Sequence, residues 1–321
     1  IQELMKKMNL TNTAQNWQIA DLYKQLVELT EEIYNPQINA KKEKLSEVSK
    51  LDTLYQKLHN VNDNKGFGRI AGYQKEKDDL IDLVGNSIIT EQSGNPAEVV
   101  NGILFYGPKG NGKTTFAKAF AEQLGCKLVK VNNYINLDKN MNKLYEQLEK
   151  AKENFEKDNI RTILHLDNID NFAPKDSPII DPLKSFLDDL SEEYHCTLFA
   201  TTNFPEKLDD NMLSDARFMV KVPLEPANLI NAEAILKHYG QPYADDSVDF
   251  LALAAHIVKD QPNKAYSNAR IKAVVENFVR TTKFTKMSQQ DFLQAIKETP
   301  ADITKEALKL FERQKNYMKH M

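Results

Sequence analysis

Cysteine is nearly absent from this 321-residue chain, which has only Cys126 and Cys196, far apart and in no metal-ligand spacing. That excludes a disulfide framework or a cysteine-rich zinc centre. Both residues read as buried free thiols of a reducing compartment, which places the protein in the cytoplasm. Long apolar runs are missing too. No stretch approaches the roughly 18 apolar residues that span a bilayer, and no leader of the signal-peptide kind opens the chain. The first residue is Ile1 rather than Met, so the chain reads as a fragment, with any preceding membrane anchor unseen. A basic surplus is lacking as well: Lys and Arg total 42 against 46 Asp and Glu, a net charge of −4, so nothing global draws the protein to nucleic acid. There is no internal repeat and no low-complexity tract. What is present is ordinary globular material, 41% hydrophobic and 27% charged, long enough for about two domains.

Glycine is also scarce, at 11 residues, yet Gly107, Gly110 and Gly112 crowd into one turn. Ile103-Leu104-Phe105-Tyr106 runs into Gly107-Pro108-Lys109-Gly110-Asn111-Gly112-Lys113-Thr114-Thr115, and a helix-forming segment follows from Phe116. Residues Gly107 to Thr114 fit G-x-x-x-x-G-K-[ST]. Glycines adopt dihedrals that a β-carbon forbids, so successive backbone N–H groups can converge on one anion. The following helix adds unpaired donors and the positive end of its dipole. Lys113 offers a cation for the β- and γ-phosphates, and Thr114 a hydroxyl for Mg²⁺. The strand–turn–helix setting predicts a nucleotide triphosphate site.

Along the chain, residues 1–61 read as a helical hairpin or short coiled coil. Ile19, Leu22, Leu26, Leu29 and Ile33 form one apolar seam, Asn35-Pro36 breaks it, and Leu45, Val48, Leu51, Tyr55 and Leu58 form a second. Trp17 reads either as a partner anchor or as a residue docked on the next domain. Residues 62–69 are polar and glycine-containing, a linker. A helical segment through Val84 leads to the phosphate-binding turn, and strands are predicted at 103–106, 127–131, 162–166 and 197–202. Helices are expected at 141–157 and from Pro182 to Tyr194. Strands alternating with helices over 70–226 predict an α/β fold, a parallel sheet with helices on both faces and the ligand at the carboxyl ends of the strands. Residues 227–321 carry only helical periodicity, clearest at Ile271, Val274, Val275 and Phe278, and read as an all-α lid. Asp167, ending the strand 162–166, is a candidate Mg²⁺ carboxylate. His165 inside that strand reads as core.

These motifs in this order resemble the AAA ATPases, the branch with membrane metalloproteases, microtubule-severing enzymes and proteasomal unfoldases, over about residues 69–321. Ile70-Ala71-Gly72 is similar to the turn that holds adenine, Leu164-His165-Leu166-Asp167-Asn168 to the Walker B strand, and Ala200-Thr201-Thr202-Asn203 to the sensor-1 strand. Leu213 to Phe218 resembles the arginine-finger segment and Tyr266-Ser267-Asn268-Ala269-Arg270-Ile271 the sensor-2 helix. The resemblance implies bound Mg-ATP, Asn203 on the γ-phosphate or attacking water, Arg217 reaching a neighbouring subunit's site, Arg270 reaching its own from the lid, and a hexamer.

Three departures stand against it. Asn168 replaces the glutamate that polarises water, and general-base help is worth about 10²–10⁴-fold. Asp170, two residues on, is offset. Ser214 replaces the first of two finger arginines, and no aromatic–apolar–glycine pore loop follows Val131 unless Tyr134-Ile135 is a drifted one. The expected function is an ATP-dependent remodeller with slow hydrolysis, its protein partner recruited through residues 1–60. The alternative is a nucleotide-binding scaffold or regulatory subunit beside an active paralogue. A clamp-loader acting on DNA would need a basic stripe that the chain lacks.

Overall fold

A computed structural model describes residues 65–131, 137–261, 263–281 and 286–321. The chain divides between Asn60 and Val61. The predicted hairpin with Trp17, and the Tyr134-Ile135 segment, lie outside the described residues.

Five strands, β1 (Gly102–Tyr106), β2 (Lys127–Val131), β3 (Thr162–Leu166), β4 (Cys196–Thr202) and β5 (Val220–Pro223), form one sheet in the order β2-β3-β4-β1-β5. Every pairing is parallel; helices make the first three crossovers, a single 3-10 turn (Pro205–Lys207) lies on the way from β4 to β5, and strands buried on both faces read as unbroken apolar runs. The two faces separate by alternation. Leu104, Leu164, Leu166, Leu198 and Ala200 share a core with Leu144, Leu148, Leu183 and Phe186. On the other face Phe105 stacks on Phe199 at 4.9 Å and meets Phe116 at 5.1 Å, and Tyr73 closes edge-on against Phe116.

The helices before the lid are α1 (Gln74–Leu80), α2 (Asn86–Gln92), α3 (Lys113–Gln123), α4 (Leu137–Asp158), α5 (Ile169–Phe172), α6 (Ile180–Asp188) and α7 (Leu190–Tyr194). A π-helical turn, Ile81–Gly85, joins α1 to α2, so the helical segment continues past Val84. The lid helices are α8 (Leu229–Gly240), α9 (Phe250–Val258), α10 (Asn268–Thr281), α11 (Gln289–Glu298) and α12 (Lys305–Met318). Their starts are written in side chains: Asn228, Asp249, Ser288 and Thr304 each accept from the backbone N–H three residues on, satisfying an orphan donor.

Four local readings change. Strand β5 was not predicted; it is short, ends in proline and lies at the sheet edge. The segment 182–194 is two helices separated at Asp189. Gly66–Arg69, read as linker, form a 3-10 turn on α3, with Gly66 N–H donating to Glu122, Phe67 N–H to Gln123 and the Phe67 ring 6.4 Å from Phe120. Helix α12 leaves the lid and packs on the nucleotide domain, where Phe311 meets Tyr106, Lys315 pairs with Glu225 and the Tyr317 hydroxyl donates to Asp210. Both cysteines are free, but only Cys196 is buried; Cys126 is half-buried. Among the described residues no helix is long and apolar enough to cross a membrane.

Candidate nucleotide site

Strand β1 delivers the chain to Gly107 at φ +135°, where a β-carbon would lie 2.7 Å from the Leu224 carbonyl oxygen. At Gly110, φ +87°, it would lie 2.7 Å from the Ser267 hydroxyl. Only glycine fits either place, so the turn is folded tightly enough for its amides to face inward. Lys113 opens α3, and its side chain turns back into the loop, donating to Gly107 O at 2.7 Å, Pro108 O at 2.9 Å and Asn203 Oδ1 at 2.8 Å. It is 8% exposed. Burial pulls its ammonium down to about 8, with Asp167 and Asp170 acting in the opposite direction. Lys109 and Thr115 stay exposed.

Beyond β3 the chain turns sharply. Asp167 Oδ1 accepts from Thr114 Oγ1 at 3.1 Å and from the Thr201 hydroxyl. Asn168 is left-handed, φ 54°, its N–H donating to Thr201 Oγ1 at 3.1 Å. Its side-chain Oδ1 accepts from Asn203 Nδ2 at 3.2 Å, so Lys113, Asn203 and Asn168 form one chain of contacts. Asp170 is buried and accepts from Thr202 at 2.6 Å, engaged with the end of β4. The Thr114 hydroxyl and the exposed Asp167 carboxylate are hard oxygen donors side by side. They suit a Mg²⁺ completed by phosphate and water, which needs no protein cage. Among the described residues no cluster of three or more His, Cys, Asp or Glu side chains offers a different metal site.

Beside the loop lies a cavity of about 210 Å³ lined by Ile70, Ala71, Asn111, Thr115, Tyr239 and Lys272. Gly72 does not line it; its φ of +70° brings the backbone against Asn231, which accepts from Tyr73 N–H at 2.8 Å. The lid reaches the loop directly. Asn268 Nδ2 donates to Asn111 O at 2.7 Å, and Ala269 N–H to Gly110 O at 3.0 Å. The Tyr73 hydroxyl lies 2.9 Å from both Glu225 O and Asn268 Oδ1, joining the two domains under the cavity. A larger cavity of about 470 Å³ lies within the lid, lined by Lys259, Tyr266 and Lys297 among others, with no residue of the phosphate-binding turn. Size does not locate the chemistry here, because it is the smaller cavity that Gly110, Asn111, Gly112 and Thr115 of the phosphate-binding turn line.

Two expected residues stand elsewhere. Arg270 Nε donates to Pro300 O at 2.7 Å, so within this chain the lid meets the loop through Asn268 and Ala269 instead. Arg217 pairs with Asp188 at 2.8 Å and donates to Asn211 O at 2.9 Å. Its carbonyl sits against Gly102, at the opposite end of β1 from the phosphate turn. Sequence reasoning missed Thr201 and Asn268 as individuals, although both lay inside quoted motifs.

A parallel sheet with an interior strand feeding a glycine-rich turn, a buried lysine, and a strand-end carboxylate meeting a hydroxyl define a P-loop nucleotide-binding protein. Residues 103–226 match the ATPase family associated with various cellular activities (AAA). It is also 25% identical over 233 residues to Protein SAV of Sulfolobus acidocaldarius, a match covering 64% of this chain and 29% of that protein. The matched region thus spans less than a third of that relative's length.

Proposed function

We propose that the protein binds Mg-ATP between the P-loop and the lid and couples nucleotide state to remodelling of a protein partner, with slow hydrolysis. The observation that carries this reading is the convergence of Lys113, Asp167 and Asn203 from three separate strand ends on one loop. Lys113 would meet the β- and γ-phosphates, Thr114 and Asp167 would hold Mg²⁺, and Asn203 would orient a γ-phosphate oxygen or water. Mg²⁺ supplies neutralisation of charge on the phosphates. Arg217 would serve a neighbouring subunit in an oligomer, after leaving Asp188. In this reading residues 1–61 are the partner-binding element, residues 70–226 the nucleotide domain and residues 227–321 the lid, with its last helix, α12, returning to the nucleotide domain.

Asn168 favours a second reading, a scaffold or regulatory subunit that binds ATP without turning it over. An amide positions water but takes no proton from it. Measuring ATP binding and turnover in the wild type and in Asn168→Glu separates the two. Robust wild-type hydrolysis sinks the scaffold; tight binding without turnover, restored by the substitution, supports it. Under both readings Lys113→Ala abolishes ATP binding, and retained binding would refute the site itself.

A further inference from the structure

We propose that Thr201 is a positioning residue of this site: its buried hydroxyl fixes the two residues that follow β3 and so sets how strongly Mg²⁺ is coupled to bound nucleotide. The inference rests on the Mg-ATP reading above. Thr201 is fully buried at the carboxyl end of β4, opposite Phe105 in the register with β1. On its other side β3 and β4 pair Leu166 with Ala200, and one step further along both strands brings Asp167 beside Thr201.

A threonine hydroxyl has one proton and two lone pairs. Here the proton goes to Asp167 Oδ1, and a lone pair receives Asn168 N–H at 3.1 Å. The Thr114 hydroxyl also donates to Oδ1, at 3.1 Å. Both protein donors therefore hold the same oxygen and leave Oδ2 of an exposed carboxylate toward the open side of the site. Thr114 sits exposed in the first turn of α3, whereas Thr201 is fully buried within the sheet. Of the two donors, Thr201 is the fixed reference for the carboxylate. Its second contact ties down the left-handed corner at Asn168, whose side chain meets Asn203. One hydroxyl thus sets both the metal carboxylate and the amide pair.

Valine has the shape of threonine without the proton. The test titrates a fluorescent ATP analogue into the whole chain in excess MgCl2 and, separately, in EDTA. In the wild type Mg²⁺ tightens binding; Thr201→Val loses about tenfold of that gain, the scale of one charge-assisted hydrogen bond. Thr201→Ser retains the gain, and the three proteins bind equally in EDTA. Should Thr201→Val not fold by its melting curve, Thr201→Ala replaces it. A valine or alanine variant with the full Mg²⁺ gain overturns the inference alone. So does one weakened equally with and without metal, which would make the residue packing only. A wild type that gains nothing from Mg²⁺ overturns the Mg-ATP reading, and this inference with it.

Discussion

Raising the pH should stabilise the empty protein through one residue, Lys113. Burial among carbonyl oxygens lowers its pKa from 10.5 to about 8, against the pull of Asp167 and Asp170. At about 1.36 kcal/mol per pH unit the difference is about 3 kcal/mol. The unfolded chain keeps its proton up to the ordinary lysine range and the folded chain releases it near 8. Between those values the unfolded state therefore binds more protons, and stability rises with pH. Below about pH 8 both states are protonated and the full cost of burying the charge is felt. Urea unfolding of metal-free, nucleotide-free wild type and Lys113→Met across this range isolates the effect, since other groups titrate in both. The wild type should gain about 3 kcal/mol on the variant between pH 8 and 10.5. Bound triphosphate restores the charge, so above pH 8 binding takes up a proton and affinity falls by about tenfold per unit. Calorimetry in two buffers of different ionisation enthalpy reads that uptake. Parallel stability profiles for the two proteins, or binding without proton uptake at pH 9, would refute the burial of a charged Lys113.

Arg161→Met should cost about 3–5 kcal/mol in urea unfolding, because the guanidinium is fully buried, pairs with Glu91 at 2.6 Å and donates to Ser191, Thr197 and Cys196 O. A loss below 1 kcal/mol would mean that water or neighbouring side chains replace the network. Gln314→Leu removes the contacts of α12 with Asn203 O at 3.1 Å and Glu206 at 2.9 Å. It should cost about 1–3 kcal/mol and raise hydrogen exchange in residues 205–208, where unchanged exchange would show that α12 does not brace the Asn203 loop.

Strands β1, β3 and β4 were legible because interior parallel strands must be apolar throughout, and β2, at one edge, by its alternation. Strand β5 was not. Half its residues are buried, and Pro223 can end it because an edge strand tolerates the missing N–H. The helices of 227–321 were legible from their period, but the destination of α12 was not. Phe311, Gln314 and Met318 are its buried face, and a polar member blurred the apolar stripe that would have marked a docking surface. In the site, Lys113, Thr114 and Asp167 stood out by residue type and spacing, and Asn203 through the resemblance of its strand. Thr201 could have been found by noting that it shares a strand face with Asn203 and sits one pair beyond Leu166–Ala200. Asn268 and Arg270 lie about 200° apart around one helix, so only one can face the loop, and here it is Asn268.

The same geometry changes what Asn168 means. Its φ of 54° lies in the left-handed region, where asparagine is among the few side chains that sit readily. Glutamate there is strained by about 1 kcal/mol, and it would also break the contact with Asn203 Nδ2. The asparagine is therefore more than a missing base, since it suits the corner that presents it. Asn168→Glu should accordingly lower the stability of the empty protein even if it speeds turnover. Were it to raise turnover with no loss of stability, the corner must readily relax into an ordinary conformation, and the amide pair with Asn203 would not be holding the site. Lost stability with unchanged turnover would mean that the new carboxylate does not reach the water, leaving the nucleotide-binding reading intact and hydrolysis limited by geometry as well as by chemistry.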